Sequence, residues 1–163
     1  TMTILGGGGA ATALIAQAAL NGARHINIFN QTAFLEATRQ KAQELVDKTG
    51  VSIDVYPVED VSLIQEKVLA SQLFVNATSV GMDGISMLIA EDFTFPEGIL
   101  VADTIYQPFE TPFLALARRQ GLTALNGLGM LLFQAAEAFE CWTRETMPTA
   151  EIWSALEEKY NTK

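Results

Sequence analysis

Cysteine occurs once in the 163 residues, as Cys141, and histidine once, as His25. A lone thiol excludes an internal disulfide, and the two residues offer no metal-ligand spacing. Cys141 falls in a helical stretch, where it is expected to be a small apolar filler. No apolar run approaches the roughly 20 residues of a membrane span. The opening Thr1-Met-Thr-Ile-Leu5 lacks the basic region and small-residue cleavage site of a secretory leader. These absences predict a cytoplasmic protein with no membrane partner. Basic residues are scarce as well: 10 Lys and Arg face 19 Asp and Glu, for a net charge of −9. A chain this acidic repels the phosphates of nucleic acids and of anionic membranes. A local pocket for one cofactor phosphate stays compatible with that balance.

What is present is an ordinary core. Hydrophobic residues make up 49% and charged residues 18% of the sequence, a composition and length that suit one domain over residues 1–163. Short apolar segments alternate with helical ones. Strands are expected at Met2–Leu5, His25–Phe29, Val51–Tyr56, Leu73–Val75, Leu100–Ala102 and Leu122–Leu125. Helices are expected at Ala10–Asn21, Ala33–Lys48, Val61–Ala70, Pro112–Gln120, Leu128–Thr143 and Ala150–Lys159. Gly22 and Gly50 stop two of them, Pro112 suits a first helical position, and Thr149 suits an N-cap. Residues 83–98 read as a loop. This βαβα alternation predicts a predominantly parallel sheet with helices on both faces.

An open parallel sheet binds ligands at the carboxyl ends of its strands. The Gly- and Asn-rich segments after Leu5, Phe29, Val75 and Ala102 all fall there. After the first strand, Gly6-Gly-Gly-Gly-Ala-Ala11 opens a helix and fits G-x-G-x-x-G/A with Gly6, Gly8 and Ala11. Gly6 would permit the tight turn, Gly8 the approach of a diphosphate, and Ala11 the packing of helix on strand. The helix N-terminus would add free N–H groups and partial positive charge. After the second strand stand Asn30-Gln-Thr32, a neutral set that can hydrogen-bond a ribose but not clamp a 2′-phosphate. Arg39, beyond Leu35, is a possible late contributor and is otherwise a solvated residue. Asn76-Ala-Thr-Ser-Val-Gly-Met82 places small polar groups at the fourth strand end. Asp103, at the fifth, favours a structural role. His25 begins a strand, away from the expected ligand edge, and Trp142 and Trp153 read as core or interdomain contacts.

Five ordered segments make the pattern specific: Gly6–Ala13, Asn30–Thr32, Asn76–Met82, Asp103-Thr-Ile-Tyr-Gln-Pro108 with Thr111-Pro112, and Asn126-Gly-Leu-Gly-Met-Leu-Leu-Phe-Gln134. Together they resemble the C-terminal half of the shikimate dehydrogenase family over essentially the whole chain. The resemblance implies a Rossmann-type, doubly wound fold and a domain that binds NAD or NADP. It also implies a complete protein that reversibly reduces 3-dehydroshikimate by hydride transfer from the reduced cofactor. Gly6, Gly7, Gly8, Gly9 and Ala10 correspond to the diphosphate loop, and Asn30, Gln31 and Thr32 to the adenosine-ribose motif. Thr78 and Ser79 correspond to a segment near the adenosine. Ile105, Gly127 and Met130 match positions lining the nicotinamide, Tyr106 the junction of cofactor and substrate, and Gln134 a contact with substrate hydroxyls.

The family's catalytic Lys and Asp lie in an N-terminal substrate domain expected to be absent here. No catalytic residue is therefore assigned, and Lys41, Lys48 and Lys67 have no claim to that role. Where the NADP-using pattern carries two arginines, this sequence has Gln31 and Leu35. Losing two guanidiniums weakens binding of a 2′-phosphate, which favours NAD or a relaxed preference. Quinate or amino-shikimate dehydrogenases, and a non-catalytic dinucleotide-sensing module, remain alternatives. Oligomeric state is left open.

Overall fold

The computed structural model describes residues 1–161. Its elements in chain order are β1 (Met2–Leu5), α1 (Gly9–Leu20), β2 (His25–Asn30), α2 (Leu35–Thr49), β3 (Ser52–Pro57), α3 (Val61–Leu69) and β4 (Leu73–Asn76). They continue with β5 (Leu100–Asp103), α4 (Pro112–Arg119), β6 (Ala124–Leu125), α5 (Leu128–Thr143) and α6 (Thr149–Asn161). The strands form one sheet in the order β3-β2-β1-β4-β5-β6, and every pairing is parallel. The expected doubly wound α/β architecture is therefore the observed one.

Strand periodicity explains the two cores. Side chains alternate faces along a strand, so Met2 and Ile4 join Ile26, Ile28 and Val75 beneath Ala11, Ile15 and Ala19 of α1 and Ala42 of α2. Leu5, Phe29, Phe74 and Val101 face the other way, against Ile64 and Val68 of α3 and Phe113, Leu114 and Ala117 of α4. β1 is buried at all four positions, as a central parallel strand covered on both faces must be. The two edges are blunted. β6 has only two residues, and β3 alternates exposed with half-buried positions and ends at Pro57.

The loop over residues 83–98 and the place of His25 are as expected, while the readings of Thr149 and Cys141 need correction. Residues 83–98 lack helix and strand, yet Ile89, Phe93 and Phe95 from this loop are buried in the core. Phe93 and Phe95 lie 5.9 and 6.2 Å from Phe74, ring centroid to ring centroid. Aromatic burial thus comes from a segment with no periodicity to reveal it. Thr149 is the first residue of α6 rather than its cap. Cys141 is exposed, not a core filler, because α5 buries only Leu128 and Leu132, both near its start. The same helix leaves Phe133 58% and Trp142 81% exposed. His25 lies at the start of β2, away from the carboxyl edge, and contacts Ser52, Asn27 and Asp54.

Candidate dinucleotide cleft

The order β3-β2-β1-β4-β5-β6 reverses direction between β1 and β4, and a crevice opens at such a switch point. Gly6 occupies it. Its φ is +106°, and a Cβ there would stand 2.7 Å from the Ala77 carbonyl oxygen beyond β4. The turn therefore requires glycine on both counts. The Gly6 N–H donates to the Phe29 carbonyl at 2.7 Å, and the Ala77 N–H donates to that of Leu5 at 2.8 Å. These bonds bring the ends of β2, β1 and β4 together.

Around this point lies a cleft of about 440 Å³ lined by Gly6–Gly8, Asn30, Gln31, Phe34, Ala37, Thr38, Lys41 and Ala77–Ser79. Of the sequence-assigned residues, the structure gathers Gly6, Gly7, Gly8, Asn30, Gln31, Thr78 and Ser79 in one wall. Gly9 and Ala10 open α1 immediately behind it. Helix α1 has Gly8 as its N-cap, no side chain caps it, and no acidic residue sits in its first turn. Its leading N–H groups are thus left for an anion. No atom lies within 4 Å of where side chains would project from Gly8 and Gly9. An open, donor-lined hollow of this kind fits a diphosphate.

Asn30 braces the cleft: its amide donates to Thr38 Oγ1 at 3.0 Å, and its carbonyl oxygen accepts from the Gln31 N–H at 2.9 Å. Thr32 does not line the cleft. Its N–H and hydroxyl donate to Glu59 at 3.2 and 3.0 Å. The Glu59 carboxyl is held below the usual range by its own backbone N–H and by these bonds from Thr32. Leu35 is buried, so the position matching a family arginine turns inward. Arg39 lines a different hollow, with Asp54 and Tyr56 beside β3. Phe34, Thr38 and Lys41 were missed by sequence reasoning, although their helical spacing was a signal that they share a face.

A second group lies at the ends of β5 and β6, outside this cleft. Ile105 is buried, and its carbonyl accepts from the Gly127 N–H at 2.9 Å. Met130 is half-buried near the start of α5, and Gln134 is exposed further along it. Tyr106 is half-buried, and its ring meets Tyr160 of α6 edge-on at 5.9 Å.

Asp103 ties the two groups. Its carboxylate accepts from the Asn76 amide at 3.1 Å, the Ile105 N–H at 3.0 Å and the Thr111 hydroxyl at 2.7 Å. Asn76 Oδ1 accepts from the N–H and hydroxyl of Thr78 at 3.2 and 2.7 Å, so one network spans the loops after β4 and β5. Burial raises the Asp103 pKa above its ordinary 3.8, against the lowering effect of these donors. The folded protein therefore holds this proton more tightly than the unfolded chain does. The stability that this contributes is full below about pH 3.8 and is lost as pH rises through the raised value. Asp103→Asn removes the titration, so its stability deficit against the parent should widen as pH falls from about 7 towards 4. Asp103→Ala should cost about 3 kcal/mol or more, since it strands three buried donors. Urea unfolding of both variants across pH measures this, and a deficit for Asp103→Asn that stays constant with pH would contradict it.

A larger hollow, about 670 Å³, lies at the amino edge beside Phe95, Glu97, Leu100 and Thr123. It lies away from the strand ends where parallel sheets bind ligands, and no glycine turn opens a helix into it. Among the described residues, no helix is long and apolar enough to cross a membrane. No group of three or more His, Cys, Asp or Glu among them could hold a metal.

Strand order, a glycine turn at the switch point and an uncapped helix facing an open cleft define a Rossmann-type domain. Residues 127–157 match the family model described as the shikimate 5′-dehydrogenase C-terminal domain. Over 99% of its length the chain is 68% identical to the shikimate dehydrogenase (NADP(+)) of Streptococcus mutans, covering 56% of that protein. Shikimate 5-dehydrogenase of Listeria monocytogenes, solved with shikimate and NAD, superposes with a TM-score of 0.86 at 41% identity, over 95% of this chain and 55% of that one. The ligand-free 5-ketofructose reductase of a Gluconobacter strain gives 0.79 at 31%, over 96% and 55%. The chain belongs to the shikimate dehydrogenase family. It spans about half the length of the relatives it matches.

Proposed function

We propose that this chain is the cofactor-binding domain of an NAD(P)-dependent dehydrogenase acting in the cytoplasm. Its reaction is the reversible reduction of 3-dehydroshikimate to shikimate, a step towards aromatic amino acids. The observation that carries this reading is the cleft at the β1/β4 switch point, with a glycine-only turn and unclaimed helix N–H groups. Gly7–Gly9 and the first turn of α1 would hold the diphosphate. Asn30 and Gln31 would face the adenosine ribose, with Thr32 held aside by Glu59, and Thr78 and Ser79 would face the adenosine. Ile105, Gly127 and Met130 would border the nicotinamide, with Tyr106 and Gln134 turned to substrate. When bound, the nicotinamide supplies the hydride, and the protein supplies position and electrostatics.

The catalytic Lys and Asp, and most substrate contacts, are assigned to an N-terminal domain corresponding to the rest of the relatives' length. The exposed Phe133 and Trp142 of α5 fit a surface that such a domain covers. Quinate or amino-shikimate substrates would use the same cofactor half. The likeness to a 5-ketofructose reductase supports leaving most of the choice of substrate to the other half. A preference for NAD rests on Gln31 and Leu35 alone. The Streptococcus mutans relative is named for NADP(+), which gives that preference no support, and the domain is proposed to use both cofactors.

Calorimetric titration of the chain with NAD⁺ and NADP⁺ at one ionic strength tests the proposal. Saturable binding of at least one is expected, with no shikimate oxidation by this chain alone. Binding of neither removes the cofactor assignment, and appreciable turnover removes the assignment of catalysis to another domain.

A further inference from the structure

Lys41 is the one cationic side chain in the wall of the Gly6–Ser79 cleft. It is exposed, and among the described residues no hydrogen bond or ion pair engages it. Its direction follows from the helix. Phe34, Ala37, Thr38 and Lys41 recur at intervals of three, one and three, which places them on one stripe along α2. Thr38 fixes that stripe against the cleft, because it accepts from the Asn30 amide at 3.0 Å and donates to the Phe34 carbonyl at 2.8 Å. Helical side chains lean towards the helix N-terminus, so the Lys41 stem runs back towards Gln31 at the mouth. No second cation lines the cleft: the position that matches a family arginine holds the apolar, buried Leu35, and Arg39 lines the hollow beside β3. No carboxylate lines the cleft, and nearby Glu59 is engaged by Thr32.

Resting on the dinucleotide reading above, we infer that Lys41 is the cation that receives the 2′-phosphate of NADP, in place of the arginines that Gln31 and Leu35 replace. A lone ammonium acts as a point charge, without the bidentate grip of a guanidinium. It admits the phosphorylated cofactor while leaving NAD usable.

The test titrates the parent chain, Lys41→Ala and Lys41→Arg with NADP⁺ and with NAD⁺, at low and moderate salt. Lys41→Ala should lose about tenfold or more in NADP⁺ affinity, as removal of a charge-assisted bond does. NAD⁺ affinity should change by less than about twofold, and Lys41→Arg should restore NADP⁺ binding. The NADP⁺ loss should shrink as salt rises. Equal losses for both cofactors would place Lys41 on the diphosphate they share and overturn the inference, as would no loss for either. If the parent binds neither cofactor, the dinucleotide reading fails and the inference falls with it. The side chain is exposed, so the variants should melt with the parent, which separates a binding effect from a folding one.

Discussion

Gly127→Ala should be the most damaging single methyl in this domain. A Cβ at that position would overlap the Thr104 carbonyl oxygen and carbon. Both are backbone atoms, so no rotamer change relieves the clash. Either the start of α5 or the loop after β5 has to move. That loop is pinned from the other side, where Asp103 accepts from the Ile105 N–H at 3.0 Å and the Thr104 N–H donates to the Asn76 carbonyl at 2.9 Å. Overpacking into fixed backbone costs about 3 kcal/mol or more, a fall in melting temperature of roughly 10 °C for a chain of this size. Calorimetric melting measures it, and a variant melting within about 2 °C of the parent would show that the loop yields.

Two glycines two residues apart should separate folding from binding. Gly6→Ala combines a left-handed φ of +106° with a contact of 2.7 Å to the Ala77 oxygen. It should destabilise the domain by about 2–4 kcal/mol and lower cofactor affinity only as a consequence. Gly8→Val should do the reverse. Gly8 has φ −78° and ψ −167°, which any residue adopts, and its Cβ would meet nothing within 4 Å. Its isopropyl group would fill the space into which a diphosphate must come. Melting should be nearly unchanged, while affinity for both NAD⁺ and NADP⁺ falls by at least about tenfold. A Gly8→Val chain that binds as tightly as its parent would move the diphosphate elsewhere.

What the sequence made legible follows from local rules. The apolar run Met2–Leu5, the alternation over His25–Phe29, and the glycines at Gly22 and Gly50 depend only on neighbours in the chain, and they marked the elements to within a few residues. Glycine followed by a helix likewise marked the turn at Gly6. Contacts between distant segments were not legible in this way. Nothing local shows that Phe93 and Phe95 fill the core beside Phe74, or that Glu59 takes both donors of Thr32. The assignment of Cys141 failed for the same reason, since α5 has apolar residues all round and only packing decides which are covered. Arg39 and Lys41 are two positions apart, and the turn of α2 alone sends one to the cleft and the other to the flank of β3. Asp103 was read correctly as structural, but its link through Asn76 to Thr78 required the sheet.

β1 belongs to both halves of the sheet. Met2 pairs with Ile26 on one side and with Leu73 on the other. The first pairing closes over one helical crossover, and the second needs the ends of a much longer stretch of chain to meet, at an additional entropic cost of roughly 1 kcal/mol. On loop closure alone, β1, β2 and β3 are expected to pair first and β4 to dock on them afterwards. The crevice at Gly6 and Ala77 comes into being only at that second step. Its formation reports the joining of the two halves of the sheet, and a ligand that bridges the seam stabilises that junction.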